Sequence, residues 1–330
     1  MWDNHLNFSV ERRRLLRWIA IAGLLPISSG EGLPKPFTAT FFQPWKEHVA
    51  QPNQQWVTLI NRMRQFGCRR IILQWIGINK ANDQWQIADA TIKMLLDKCL
   101  DTGLSLQIGL PYDGDWWDML QLNNDSKLME AYLETTARYC TDYLARAAWP
   151  DHPAFCGWYI PYEIEQHSWS TTQRRELLIP WLGKISQACL MAYPERSPGV
   201  STYLSVLSNS ALLPDLWDQI LADVALHPMI QDGVGISGLS NYVALAPLRG
   251  LLVDRGVEFD LILELFEQTS SRSGSEPFEA RSATYGRLRS QLEIAESYGA
   301  KDIVAFAVDP WMVGNSPSAH KLQAAWRASY

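Results

Sequence analysis

The stretch Phe155-Cys-Gly-Trp-Tyr-Ile-Pro-Tyr-Glu-Ile-Glu-Gln166 constrains the fold more than any other part of the chain. It is apolar and aromatic for most of its length and then ends abruptly in two carboxylates. A run that is hydrophobic at both parities, bounded by His152-Pro153 and by polar residues, reads as a strand buried on both faces of a parallel sheet. Ionised carboxylates are costly to bury unpaired, so Glu163 and Glu165 are expected where the strand leaves the core. A second run repeats the pattern: Glu258-Phe-Asp-Leu-Ile-Leu-Glu-Leu-Phe-Glu-Gln268 ends in Glu264 and Glu267.

The rest of the chain supplies what such strands need around them. Strands are predicted over 37–42, 70–75, 104–110, 155–166, 200–204, 223–230, 259–265 and 302–308. Helices are predicted over 54–65, 88–102, 126–148, 172–192, 213–221, 241–255, 278–298 and 318–328. Strand and helix alternate eight times, which is what a single (β/α)8 barrel requires, and 330 residues suit that fold. An open doubly wound sheet is the alternative, but no Gly-rich phosphate loop follows any early strand. No repeat or low-complexity linker divides the chain, so 36–330 is read as one α/β domain. The two glutamate strands are then the fourth and the seventh.

Active sites of such barrels lie at the C-terminal ends of the strands. Two strands that deliver glutamates to that face point to acid/base or nucleophilic carboxylate chemistry. The competing reading makes these glutamates helix caps or structural ion pairs. Residues two apart share a face of a strand and residues three apart do not. Glu264 and Glu267 therefore cannot both face inward; Glu264, which ends the apolar run, is the choice, with Glu165 and Glu267 as substitutes.

Composition narrows the partners. A net charge of -6 argues against nucleic acid. The 15 tryptophans exceed ordinary usage, and tryptophan both fills cores and stacks on sugar rings. The five cysteines, Cys68, Cys99, Cys140, Cys156 and Cys189, are scattered and lack paired spacing, which speaks against a zinc site and a disulfide framework.

Residues 1–30 read as a segment apart. Arg12-Arg-Arg-Leu-Leu-Arg17 precedes the apolar run Trp18-Ile-Ala-Ile-Ala-Gly-Leu-Leu25 and then Ser28-Ser-Gly30. A charged region, a short apolar region and small residues are the parts of an export signal. The segment resembles the twin-arginine type, with Arg12-Arg13 as the pair, which implies the twin-arginine export machinery as a partner and a periplasmic or otherwise exported protein. Glu11 before the pair and the lack of an A-x-A site depart from that pattern. An amphipathic helix that stays in place is the alternative.

A barrel with glutamates ending strands four and seven resembles the large clan of retaining glycoside hydrolases. In that clan the fourth-strand Glu is the acid/base and the seventh-strand Glu the nucleophile, so the resemblance implies Glu163 and Glu264 in those roles. The clan commonly carries Asn before the acid/base, where this chain has Tyr162. A closer likeness covers nearly the whole of the barrel. Thr38-Ala-Thr-Phe-Phe-Gln-Pro-Trp45, Ile72-Leu-Gln-Trp75, Gly157-Trp-Tyr-Ile-Pro-Tyr-Glu163, Gln231-Asp-Gly-Val-Gly235 and Glu264-Leu-Phe-Glu267 together resemble a bacterial barrel family, domain of unknown function 4434, grouped with glycoside hydrolases.

Other strand-end residues are expected at the same rim: Gln43, Trp45, Gln74, Trp75, Tyr112, Asp113, Tyr203, Gln231, Asp232, Asp309 and Trp311. Aromatic faces with amides and carboxylates suit the faces and hydroxyls of a pyranose. For each Trp singly, core packing is an equal reading, and Asp232-Gly233 is equally a turn. Trp116-Trp117, after the third strand, is the least core-like pair and the leading subsite candidate. His48, His152, His167, His227 and His320 lack ligand spacing, so no metal is expected. No cofactor motif and no Ser-nucleophile motif appears. The expectation is a retaining glycoside hydrolase acting on a bacterial poly- or oligosaccharide. A carbohydrate-binding barrel without turnover, and a polysaccharide lyase or deacetylase on the same scaffold, are the rivals.

Overall fold

A computed structural model describes residues 36–81, 83–122, 126–207, 210–270 and 279–330. The export-signal reading of 1–30 therefore lies outside the described residues. Eight strands, β1 (Ala39–Phe42), β2 (Arg70–Leu73), β3 (Ser105–Gly109), β4 (Phe155–Ile164), β5 (Gly199–Thr202), β6 (His227–Gln231), β7 (Asp260–Glu264) and β8 (Ile303–Phe306), form a closed barrel. Each pairs in parallel with its neighbours in the chain, and β8 returns to β1 through Ala39–Val304 and Thr40–Ala305. The helices between them are α1 (Asn53–Gln65), α2 (Asp89–Thr102), α3 (Ser126–Leu144), α4 (Thr172–Ala192), α5 (Leu213–Asp223), α6 (Asn241–Asp254), α7 (Tyr285–Glu296) and α8 (Pro317–Ser329). The protein is a (β/α)8 barrel.

Strand parity sorts the side chains into two cores. Phe41, Ile72, Tyr159, Met229, Ile262 and Val304 fill the barrel interior. Phe42, Leu73, Ile160, Ile230, Leu263 and Ala305, each one position away, face the surrounding helices. This is why these strands carry hydrophobic residues at both parities: neither face meets water. β4 is the longest, because its register against β5 shifts between Ile160 and Ile164, around Pro161. Proline has no N–H to give the ladder, so an irregularity is the place it fits.

The N-terminal end of the barrel is closed by charge. Arg70 Nη2 lies 2.6 Å from Asp260 and 3.1 Å from Asp302, and Arg70 Nη1 donates to Gln107 Oε1 at 3.2 Å. The His227 ring stands 2.9 Å from the other Asp260 oxygen. Burial alone would raise the Asp260 carboxyl, but His227 and Arg70 outweigh it and hold it at about 2. This end reads as stability, leaving the opposite end for a site.

The expectation of one helix over 278–298 is corrected. Ala280–Ser282 is a short strand, antiparallel to Phe266–Gln268, and α7 begins only at Tyr285. The reason is local: the Thr284 hydroxyl accepts from Arg287 N, capping the helix seven residues into the predicted span.

Candidate active site at the C-terminal mouth

Parity places both principal glutamates toward the barrel axis. On β4, Tyr159 fills the interior, while Tyr162 packs outward on Trp181 of α4 and on Trp116, at ring distances of 5.3 and 4.9 Å. Glu163, next in the strand, turns the opposite way and is 5% exposed. On β7, Ile262 is interior, Leu263 and Leu265 face outward, and Glu264 follows Ile262 inward at 2% exposure. Glu264 sits in register with Phe306 of β8.

The same parity turns Gln43, Gln74, Tyr203 and Gln231 inward at the ends of β1, β2, β5 and β6. Gln43, Gln231 and Phe306 are nonetheless half-buried, not sealed. A side chain inside a closed barrel meets solvent only through its mouth, so the mouth is open over β1, β6 and β8. Gln74 is buried, and its Oε1 has no hydrogen-bond partner. An unmet acceptor in that place suits a ligand hydroxyl.

Glu264 is held by a contact that strand patterns do not reveal. Gly235 N donates to its Oε2 at 2.9 Å. A Cβ on Gly235 would fall 2.5 Å from the Phe266 carbonyl oxygen and 2.9 Å from Glu264 Oε2, so only glycine lets the backbone come this close. Gly235 lies in the Gln231–Gly235 motif, which was legible as a turn but not as a carboxylate clamp. Arg287 of α7 adds a bond from Nη2 to the Glu264 carbonyl oxygen at 2.7 Å.

Asp232 is not a rim residue, a correction that follows from parity. With Gln231 facing in, Asp232 faces out, and it is fully buried between β6 and α6–α7. Its Oδ1 accepts from Val234 N at 3.0 Å and Glu264 N at 3.2 Å; its Oδ2 accepts from Tyr242 Oη at 3.0 Å and Gln291 Nε2 at 2.7 Å. Burial, reinforced by the neighbouring Glu264 carboxylate, pushes the Asp232 carboxyl up to about 7. Its place is beneath Glu264, fixing the backbone from which that side chain projects.

Several aromatic expectations are corrected too. Trp116 is 0% exposed, enclosed by Tyr132, Tyr162, Trp169 and Trp181, and cannot meet a sugar. Its partner Trp117 is also buried, against Tyr203 at 6.2 Å. Trp75 alternates outward from Gln74, donates Nε1–H to Pro44 O at 2.9 Å, and stacks on buried Tyr112 at 5.2 Å. Trp45 packs edge-on to Trp75 but is only half-buried, which leaves it as the rim tryptophan nearest solvent. Trp311 is buried against Phe266 at 5.5 Å.

The remaining carboxylates divide in the same way. Asp113 Oδ1 accepts from Asp115 N and Tyr132 Oη, and burial raises its carboxyl. Asp309 follows β8, half-buried, with burial pushing it up to about 6. The two substitutes are accounted for elsewhere. Glu165 accepts from His167 N and Ser168 N, capping the turn after β4. Glu267 pairs with Arg281 at 3.1 Å on the exposed hairpin.

A family model described as Domain of unknown function (DUF4434) matches residues 37–321. The chain belongs to this family. Among curated proteins, the uncharacterized protein YbcH of Escherichia coli (strain K12) is 25% identical over 204 residues. That match covers 60% of this chain and 66% of YbcH, just under two thirds of its length. Among solved structures, a candidate alpha-L-fucosidase of Bacteroides thetaiotaomicron VPI-5482 superposes with a TM-score of 0.67 at 16% identity, covering 94% of this chain and 99% of its own. The beta-galactosidase of Marinomonas ef1 gives 0.56 at 11% identity, over 88% of this chain and 59% of the galactosidase. The intracellular xylanase TsXylA of Thermoanaerobacterium saccharolyticum, solved with xylotriose, gives 0.50 at 11%, over 87% and 95%. At such identities the likeness is one of fold: this DUF4434 chain shares its barrel with these enzymes.

Proposed function

We propose that the protein is a retaining glycoside hydrolase acting on a bacterial poly- or oligosaccharide, with Glu163 as acid/base and Glu264 as nucleophile. The observation that carries the reading is the pair of glutamates ending β4 and β7, both turned to the axis under an open mouth. In the first step Glu163 gives its proton to the glycosidic oxygen as that bond breaks, and a Glu264 oxygen bonds to the anomeric carbon. In the second, Glu163 takes a proton from water as the water oxygen displaces Glu264 from the sugar. Retention by this route needs the carboxyls about 5–5.5 Å apart. The Gly235 N–H supports the role of Glu264, because a fixed backbone donor holds one carboxylate oxygen in place.

One observation favours a rival. Where glycosidases of this clan commonly place Asn before the acid/base, Tyr162 is sealed outward, its hydroxyl accepting from Asp113 N and donating to Pro111 O. It offers nothing to a sugar hydroxyl, which favours a barrel that binds saccharide without turnover. The discriminating experiment incubates purified protein with a panel of exopolysaccharides and detects products by mass. Shortened saccharides from wild type, absent from Glu163→Gln and Glu264→Gln, support hydrolysis. Unsaturated ends, released acetate, or binding without products that Glu163→Gln leaves unaffected overturn it. The same reading includes export through Arg12-Arg13, which brings the enzyme to polysaccharide outside the cytoplasm.

A further inference from the structure

A cavity of about 310 Å³ lies outside the barrel, among the segments that follow β2 and β3. It lies between α3 and a three-stranded sheet formed by Gly77–Asn79, Trp85–Gln86 and Tyr112–Asp113. Its volume is at the low end for small-molecule sites, which run from about 300 to 1,000 Å³. One ring, that of half-buried Tyr139, reaches the groove; Trp85 and Tyr143 lie buried behind it, with Arg146 over the Tyr143 ring at 5.3 Å. The edge is polar, with Gln84, Gln86, Asp142 and Arg146 all exposed. Among the described residues, none of these four side chains makes a hydrogen bond or ion pair, so amide, carboxylate and guanidinium groups stand ready for a ligand.

We infer that this groove is a second saccharide-binding site, taking a short segment of the same polymer chain that enters the mouth. The Tyr139 ring with planar hydrogen-bonding groups around the edge matches the two surfaces of a pyranose, a C–H face and its equatorial hydroxyls. Carboxylate and guanidinium occur together at the edge, which suits vicinal hydroxyls better than an ion of either sign. Position adds a second argument. The groove's sheet abuts the end of β2: Ile78 pairs with Tyr112, and Tyr112 stacks on Trp75, the residue after Gln74. A polymer long enough to extend past the ends of β2 and β3 reaches from the mouth to the groove. The substrate is then a polymer gripped at two places, not a free mono- or disaccharide.

The inference rests on the saccharide reading of the mouth, and the test separates the two. The probes are tri- and hexasaccharides of β-1,4-xylose, β-1,4-glucose, β-1,4-N-acetylglucosamine and β-1,6-N-acetylglucosamine. The protein is the full-length Glu163→Gln variant, read by hydrogen-exchange footprinting and calorimetry. The expected result is protection of 76–86 and 139–146 by a hexasaccharide that also protects the strand ends of the mouth. Tyr139→Ala with Arg146→Ala weakens that hexamer about fivefold or more while leaving its trimer and the melting temperature unchanged. Mouth protection without groove protection, or full hexamer affinity in the double variant, overturns the inference alone. Groove protection without mouth protection supports the site and contradicts the mouth as the catalytic centre. No protection at either place by any probe overturns both.

Discussion

Replacing Asp232 by Asn should flatten part of the pH dependence of stability. An aspartate in the unfolded chain releases its proton near pH 3.9. In the fold, burial and the Glu264 carboxylate hold the Asp232 proton up to about 7. Between those values folding takes up a proton, so this group lowers stability as pH rises from about 4 to 7. A shift of about three units is worth up to about 4 kcal/mol, since each unit is about 1.4. The group is fully buried, so solvent screening does not reduce it. Asn keeps an oxygen for Val234 N and Glu264 N. Its amide faces the Tyr242 hydroxyl, which can accept, and Gln291, whose buried Oε1 lacks a partner and can turn to meet it. Urea unfolding at intervals from pH 4.5 to 8 is the assay. The variant should match wild type to within about 1 kcal/mol at the acid end and exceed it by a few kcal/mol at pH 8. Asp309, raised to about 6, contributes a slope of the same sign that both proteins share. Parallel curves for the two proteins would refute the assignment of the proton to Asp232.

Three further outcomes are expected. Trp116→Ala should cost about 3–5 kcal/mol in denaturant unfolding, as a large core deletion does, with saccharide affinity of the folded protein unchanged. Asp260→Ala leaves the Arg70 guanidinium buried without its main carboxylate and should cost about 3–5 kcal/mol; in wild type the Asp260 contribution is present above pH 4 and lost as pH falls toward its folded value of about 2, which an acid titration of stability reads. A reporter fused to residues 1–35 should leave the cytoplasm, and changing Arg12 and Arg13 to Lys should retain it inside; retention with the natural arginines contradicts the export proposal.

Architecture was legible because periodicity carries it. Most barrel strands carry apolar residues at both parities and several helices show an apolar stripe, so eight units could be counted without a partner chain or a ligand. The glutamates stood out because a carboxylate ending an apolar run has few places to go. What escaped was whatever depends on which way a loop or strand-end residue turns. Trp116 looked exposed because it follows a strand in a polar loop, yet four aromatic rings from α3, α4 and the β4 region close over it. Asp232 and Trp75 each adjoin an inward residue, Gln231 and Gln74, and the alternation that turns one in turns the other out. The Gly235 clamp on Glu264 is a backbone contact between β6 and β7 units, and a glycine in the sequence does not name the carboxylate it approaches. The hairpin at Ala280–Ser282 was hidden for a similar reason: its partner strand, Phe266–Gln268, lies far enough back in the chain that a local helical pattern prevailed.

The most direct test of the two-glutamate account is the configuration of the newly released anomeric centre, followed by proton NMR during hydrolysis of a saccharide that the protein cleaves. Double displacement through Glu264 gives a first product with the same anomeric configuration as the bond broken, before mutarotation equilibrates it. Release of the opposite anomer would contradict a covalent Glu264 intermediate, because single displacement by water inverts the centre.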